Sequence, residues 1–325
     1  MIKRRAALAC LAAALAALAP GAWGASDDFP TKNITLVVPY PAGGANDLLA
    51  RGVKVQWEAA WGKSVLIENK PGGYGSIGTE FVSRQPGDGH SLLMGSVATH
   101  AINPALYPKH RYSAERDFVP VAYMGSTPLI LTVHPSLGVK TVQELIAYAK
   151  KHPGKLSYAS VGLGSAAHLS AELFKQKAGV DIVHVPYRGI SQASTDLVGG
   201  QIEMAFSNVL NVLPYLQTGK LVALGITGKD RLAVLPKIPP IGDTLPGYEV
   251  DLWWGVFAPA KTPQAVVDKL NAEANRYLDS KETRARWERE GITLAPMSST
   301  QFKELVARDA TKWTQVIKAA KVVAE

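Results

Sequence analysis

The chain alternates short runs of β-branched and apolar residues with longer stretches in which apolar residues recur every three to four positions. The first run, 34–38, precedes a Pro/Gly turn and a helical stretch with Leu49, Val53 and Trp57 on one face. The same order of run, turn and helical stretch restarts after Met124. This alternation is typical of sheets that are covered by helices. We therefore predict an α/β fold with mostly parallel sheets flanked by helices.

The first 24 residues have the organisation of a secretory signal peptide. Lys3, Arg4 and Arg5 precede an apolar run at 6–19, and small residues surround a cleavage position after Gly24. The run is too short to cross a membrane as a helix. We therefore expect a cleaved leader and a mature chain in the periplasm. That mature part has about 300 residues and contains no cysteine, so we expect its stability to come from two ordinary cores.

Charge and motif content argue against several classes of function. Removal of the three basic residues of the leader lowers the formal charge from +8 to +5, and no Lys/Arg block remains. Nucleic acid is therefore not expected as a partner. The seven histidines have no metal-ligand spacing, and neither G-x-S-x-G nor H-E-x-x-H occurs. We expect no metal, no cofactor and no enzymatic activity, although a Ser-His-Asp site assembled from distant residues stays open.

The turn after the first strand carries the most information about function. Its two glycines allow a ligand to approach the backbone closely, and the following helix start offers N–H groups and a positive dipole end. Such a site binds a carboxylate or phosphate without a cationic side chain. Asn46 is predicted to cap that helix. The candidate ligand-binding residues here are Tyr40, Ala42, Gly43, Gly44, Asn46 and Asp47, and the alternative is a plain loop between strand and helix.

A second Gly-rich turn, at 162–168, stands in the other half of the chain. Ser165 is predicted to cap the helix that follows, and His168 is expected to be structural. The candidate ligand-binding residues are Gly162, Gly164, Ser165 and Ala166. Ligands of open α/β sheets bind beyond the carboxyl ends of the strands, so both turns are expected to face one cleft.

Two further patterns resemble ligand sites. Residues 73–78 match G-x-G-x-x-G, but four residues intervene after the strand and no acidic residue lies near position 98. Nicotinamide binding is therefore not predicted. Trp253 and Trp254 are expected to pack in a core or a hinge instead of stacking on a ligand. After Tyr248 the pattern predicts helices.

With these segments in view, the chain resembles the periplasmic solute-binding receptors of tripartite tricarboxylate transporters, the Bug receptors. The resemblance covers nearly all of the mature chain, in order. It rests on VPYPAGGANDLLAR from Val38, ENKPGGYGSIG from Glu68, GSVATHAINPALY from Gly95, ASVGLGSAAHLSAELF from Ala159, HVPYRG from His184, GGQIEMAF from Gly199 and GKLVALGIT from Gly219.

The resemblance implies two lobes that close around a ligand like a Venus flytrap. It places 25–125 and 250–325 in the first lobe and 126–249 in the second. It implies that a carboxylated metabolite binds between them, mainly through backbone groups, and passes to the permease subunits of a membrane transporter. Further positions that match the family's pocket are Ser96, Thr99, Tyr187, Ser207 and Asn208. We expect a monomer.

Two residues depart from the family pattern. Arg188 stands where a lysine is usual, and Ser207 stands where an aspartate is common. Loss of the aspartate removes repulsion of a second carboxylate, so we expect a dicarboxylate or an aromatic acid to be preferred over an amino acid. Two alternatives remain open: a secreted hydrolase of carboxylic esters or amides, and a receptor that signals to a sensor kinase.

Overall fold

The structure is a computed structural model that describes residues 28–107 and 111–322. The predicted signal peptide lies outside the described residues. Within the described ranges, no helix is long and apolar enough to cross a membrane.

The N-terminal part builds one half of a nine-stranded sheet. Strands β1 (Ile34–Val38), β2 (Val65–Asn69) and β3 (Ser91–Ser96) are parallel, with β1 in the middle. Helices α1 (Ala45–Trp61) and α2 (Ser76–Ser83) connect them. Leu36 and Val38 are buried in one apolar cluster and Val37 in another, so β1 is covered on both faces. Burial on both faces is the expected environment of a parallel strand between helices.

The strand β4 (Phe118–Val133) belongs to both halves of the sheet. It follows a π-helical turn at Ala98–Ile102 and the short helix α3 (Asn103–Leu106). It pairs with a C-terminal strand, β9, as far as Pro128, and with strands of the second half from Leu129 onward. This change of partner lies close to the lobe boundary predicted near Ser126, and the division into lobes remains a proposal.

The second half repeats the order of strand, turn and helix. Its parallel strands are β5, β6 and β7, with β5 in the middle, and β4 and β8 complete the sheet in antiparallel pairing. The elements are α4 (Val142–Lys151), β5 (Ser157–Ser160), α5 (Ala166–Ala178), β6 (Val183–Pro186), α6 (Ile190–Val198), β7 (Met204–Asn208), α7 (Val209–Gln217) and β8 (Val222–Ile226).

The chain then returns to the first half through β9 (Asp251–Pro259), which lies between β3 and β4. The prediction that the sequence becomes helical directly after Tyr248 is therefore wrong for these nine residues. Helices α8 (Gln264–Asp279), α9 (Lys281–Arg289) and α10 (Ser299–Ala319) follow. The α/β class is confirmed, and the sheet is mixed because β4 and β9 pair antiparallel.

The tryptophan pair of β9 packs in the core, as expected. Trp253 is buried, and its Nε1 donates to Asp309 Oδ2 at 2.7 Å. Trp254 is also buried, in the cluster that contains Leu36 and Val38.

Several helix ends follow local capping chemistry, and one prediction of a cap is corrected. Thr141 caps α4 by accepting the Glu144 N–H, and Gly62 ends α1 in the left-handed conformation. Asn46 was predicted to cap α1, but the helix begins at Ala45 and its N-cap is Gly44. The Asn46 side chain instead turns inward and donates to the Met94 carbonyl of β3 at 3.1 Å.

Candidate ligand-binding site

The turn after β1 is held from inside by Asp47. Its carboxylate accepts the Gly43 N–H at 3.0 Å, the Arg51 Nε–H at 2.8 Å and the Asn69 amide at 3.1 Å. Burial alone would raise the pKa of Asp47, but these hydrogen bonds and the Arg51 charge hold it below its usual value. The side chain is only 2 % exposed. A direct contact of Asp47 with ligand stays a prediction, and in this structure its side chain holds the turn.

The outer surface of the same turn is open. Ala42, Gly43 and Gly44 are exposed, and a Cβ at Gly44 would have only the Pro41 carbonyl near it, at 4.0 Å. Gly43 has φ +89°, a conformation that favours glycine. The N-cap Gly44 provides no side-chain acceptor for the first N–H groups of α1, which lie at the positive end of the helix dipole. This geometry suits an anionic group.

Three of the predicted residues meet beside this turn. The Tyr40 hydroxyl lies 3.3 Å from Ser96 Oγ, and Thr99 Oγ1 accepts the Ser96 N–H at 3.0 Å. Gly75 lies between them, because a Cβ there would stand 2.9 Å from Thr99 Cγ2 and 3.0 Å from the Tyr40 oxygen. Burial raises the pKa of Tyr40, which therefore stays a neutral donor near an anion.

The second half contains a cavity of about 130 Å³ where the carboxyl ends of β5 and β7 meet the starts of α5 and α6. Four predicted residues line it: Ser165, Ala166, Ser207 and Asn208. Every described lining side chain is uncharged. The polar ones include the hydroxyls of Ser160 and Ser194, and much of the remaining wall is apolar, with Leu129, Ala159, Ala193, Leu197, Phe206 and Leu252.

The turn between β5 and α5 is shaped by its two glycines and by its cap. Gly162 has φ +113° and Gly164 has φ +73°. Ser165 caps α5 by accepting the His168 N–H, so that prediction is confirmed. His168 is buried, and its Nδ1 accepts the Gly164 N–H at 3.1 Å. His168 therefore makes a structural contact, and the alternative that it also faces the cleft stays open.

Tyr187 and Arg188 do not line this cavity, although Tyr187 packs against the apolar cluster that forms part of its wall. The Tyr187 hydroxyl donates to Asp196 Oδ2 at 2.8 Å, and burial together with Asp196 raises the pKa of Tyr187 to about 12. The Tyr187 N–H donates to the Ser160 carbonyl, which joins the ends of β6 and β5. Arg188 is exposed and makes no hydrogen bond or ion pair with residues 28–107 or 111–322. Ligand contacts of these two residues remain predictions.

The two groups of residues come close where the β5–α5 turn meets α3. A Cβ at Gly164 would collide with Leu106 of α3, the helix that follows the Thr99 turn. The turn at 40–47 does not line the 130 Å³ cavity. The predicted residues therefore form two patches, one on each half of the molecule, with the β5–α5 turn against α3.

Several cavity residues were not predicted. Ser160 ends β5 directly before the Gly-rich turn, which is a signal that sequence reasoning could have used. Leu252 comes from β9, a strand that was not recognised, and Leu129 comes from the point where β4 changes partners. In residues 28–107 and 111–322, no group of three or more His, Cys, Asp or Glu side chains could hold a metal ion.

Comparisons with known proteins identify the family. The family "Tripartite tricarboxylate transporter family receptor" matches residues 49–322. A protein encoded in the tcbD-tcbE intergenic region of Pseudomonas sp. (strain P51) is 37 % identical over 90 % of this chain and 87 % of its own. BugT of Bordetella pertussis is 32 % identical over 90 % of each chain. The structure of R. palustris Rpa4515 with adipate superposes with a TM-score of 0.74 at 34 % identity, covering 91 % of this chain and 99 % of that one. The chain therefore belongs to the receptor family of the tripartite tricarboxylate transporters, as the resemblance to the Bug receptors implied.

Proposed function

We propose that this receptor captures a small carboxylate in the periplasm and delivers it to the permease subunits of a tripartite tricarboxylate transporter. The observation that carries the proposal is the uncharged cavity at the starts of α5 and α6. Helix starts and hydroxyl groups bind an anion without a counter-ion. The open turn at Gly43 and Gly44 offers a second helix start on the other half of the molecule. The similar Rpa4515 structure contains adipate, which supports a carboxylate here.

The cavity lining also bears on the ligand class. An amino acid carries an ammonium group that needs an acidic or carbonyl partner when it is desolvated. No described lining side chain is acidic, and Ser207 stands at the end of β7 where a carboxylate is common in the family. The apolar wall suits a methylene chain or a ring. A dicarboxylate or an aromatic acid is therefore the proposed ligand, as the sequence suggested.

A hydrolase is the second candidate, because Ser160 Oγ lies 2.7 Å from His184 Nε2. Three features argue against catalysis by this pair. Ser160 Oγ already exchanges two hydrogen bonds with the Gly162 backbone, each of 3.1 Å. Burial, reinforced by His168, lowers the pKa of His184 to about 4, which makes it a weak base at neutral pH. No carboxylate forms a hydrogen bond with His184 in the described part of the chain.

The first experiment identifies the ligand. Purified protein is denatured and the released small molecules are analysed by mass spectrometry, and the intact protein is screened by thermal shift against mono- and dicarboxylates. A ligand at 100 times its dissociation constant adds about 2.7 kcal/mol to stability. Recovery of an unmodified acid supports a receptor, whereas turnover of an ester or amide, or no binding by any carboxylate, would overturn the proposal. Uptake of the labelled ligand by cells with and without the receptor separates transport from signalling.

The second experiment tests the role of Ser207. We compare wild type with Ser207→Asp and the uncharged control Ser207→Asn, using calorimetry with adipate and with hexanoate, which lacks the second carboxylate. Two like charges about 4 Å apart repel by about 4 kcal/mol at an effective dielectric of 20. We expect a selective loss of adipate affinity in Ser207→Asp alone. Equal losses for both acids would place Ser207 away from the second carboxylate.

A further inference from the structure

Two imidazoles contact the segment between β5 and α5 that lines part of the cavity. His168 of α5 is 3 % exposed and His184 of β6 is partly buried, and their ring centres are 4.3 Å apart. Each ring touches the Gly-rich turn at a different point. His168 Nδ1 accepts the Gly164 N–H at 3.1 Å, and His184 Nε2 lies 2.7 Å from Ser160 Oγ.

Ser160 links His184 to the turn by hydrogen bonds. Its Oγ accepts the Gly162 N–H and donates to the Gly162 carbonyl. Both glycines of the turn are thus tied to an imidazole, Gly164 directly and Gly162 through Ser160. A Gly-rich segment loses much conformational entropy when its backbone is fixed. Hydrogen bonds of this kind therefore determine whether the segment keeps a single conformation. Ser165, which caps α5 and lines the cavity, follows Gly164 directly.

We propose that His168 and His184 are positioning residues that hold the β5–α5 turn in its ligand-binding shape, and that His168 does so as a neutral imidazole. The inference rests on the proposed function, because the shape matters only if this turn binds the ligand. A neutral His168 can accept the Gly164 N–H at Nδ1. Once Nδ1 is protonated, two N–H donors face each other and the bond is lost.

The charged groups around the two imidazoles stabilise their protonated forms only weakly. Tyr158 of β5 stacks on His184 with ring centres 4.9 Å apart. Glu172 of α5 accepts the Tyr158 hydroxyl at 2.8 Å and the Lys175 ammonium at 2.7 Å, both on the same oxygen. Its charge is therefore already paired with Lys175.

The pKa values of the pair give the direction of the pH effect. Burial lowers the pKa of His168, and burial reinforced by His168 lowers that of His184 to about 4. Both groups bind protons more weakly in the folded protein than in the unfolded chain. The contribution of each neutral ring is therefore complete above about pH 6.5, and it is lost as the pH falls through the lowered folded-state pKa of that ring, which for His184 is about 4.

The test uses a substitution that keeps the acceptor but removes the titration. In His168→Asn the amide oxygen can accept the Gly164 N–H, and it cannot be protonated in this range. His168→Leu removes the acceptor, and His152→Asn, at an exposed histidine of the same half, is the matched control. Hydrogen exchange of the Gly164 amide is measured by NMR without ligand. Adipate affinity is then measured between pH 7 and pH 4.

We expect slow Gly164 exchange in wild type, His168→Asn and His152→Asn, and fast exchange in His168→Leu. Loss of one hydrogen bond predicts roughly fivefold to tenfold weaker adipate binding in His168→Leu at pH 7. Adipate titrates equally for every variant, so a steeper acid loss in wild type than in His168→Asn isolates the imidazole.

Unchanged Gly164 exchange in His168→Leu, or unchanged adipate affinity, would overturn the positioning role. Parallel pH profiles for wild type and His168→Asn would overturn the requirement for a neutral ring. If wild type binds neither adipate nor any other acid of the screen, the proposed function fails, while the exchange measurement still decides whether the turn is braced. If His168→Leu does not fold, His184→Gln and the comparison of pH profiles carry the test.

Discussion

Replacement of Asp47 by alanine tests whether its carboxylate stabilises the turn between β1 and α1 or is available to contact a ligand. The carboxylate accepts three hydrogen bonds, from Gly43, Arg51 and Asn69, and only 2 % of the side chain is exposed. Arg51 is 52 % exposed, so its ion pair contributes less than about 1 kcal/mol. The other two bonds join a carboxylate to neutral donors and contribute about 1.5 to 3 kcal/mol each. Because the turn itself lies at the surface, we expect Asp47→Ala to destabilise the protein by about 3 kcal/mol.

Urea unfolding followed by far-UV circular dichroism measures this loss, and Arg51→Ala is the matched control. We expect Arg51→Ala to lower the free energy of unfolding by less than about 1 kcal/mol. The pKa of Asp47 is below its usual value, so its contribution is complete above about pH 4 and is lost as the pH falls through the lower, folded-state pKa. The difference between wild type and Asp47→Ala should therefore shrink in acid. If Asp47→Ala is no less stable than Arg51→Ala, the carboxylate does not hold the turn and is available to a ligand.

Three further predictions concern the cleft. Gly44→Val should fold normally, because a Cβ at Gly44 meets only the Pro41 carbonyl at 4.0 Å, but it should abolish the thermal shift by ligand; unchanged affinity would remove this turn from the site. Closure of the lobes should give a smaller radius of gyration in solution scattering with ligand than without, and identical curves at saturation would contradict it. Gly164→Ala should lower stability by more than about 1 kcal/mol, through its positive φ and its collision with Leu106. Because this turn is proposed to bind the ligand, Gly164→Ala should also lower the ligand affinity, and Leu106→Ala added to it should restore part of that affinity by relieving the collision. Absence of any rescue would mean that the strain of the Gly164 backbone alone causes the loss.

The local part of the fold was readable from the sequence. The limits of β1 were predicted as they are found, and those of α5 follow from its Ser165 cap and the glycine at 179. The limits of α5 depend on hydrogen bonds between residues four or fewer positions apart, so the nearby sequence determines them. Strand β1 pairs with distant strands, and its limits were readable because its apolar run is bounded by polar residues and by a Pro/Gly turn.

The strands that join the two halves were not readable in the same way. In β9, seven consecutive residues from Trp253 to Pro259 are buried, because the strand lies between β3 and β4 and is covered on both faces. A run that is apolar on both faces has no period of two, and periodicity alone does not distinguish it from a buried helix. Its identity as a strand depends on partners more than 120 residues away, such as the pair of Tyr123 with Gly255.

In the candidate site, too, local features could be predicted from the sequence and long-range contacts could not. Positions defined by backbone geometry, such as Gly43 and Ser165, were found because a positive φ or a helix cap has a local signature. The hydrogen-bond partners of the polar side chains could not be predicted, because they lie on distant strands. Asn46 donates to a carbonyl of β3, and Asp47 accepts from a side-chain amide of β2. Substitution of either residue would weaken ligand binding whether or not it touches the ligand. Affinity alone therefore cannot assign the contacts of this turn, and each variant needs its stability measured beside its affinity. Loss of affinity with unchanged stability, as expected for Gly44→Val, is the result that identifies a direct contact.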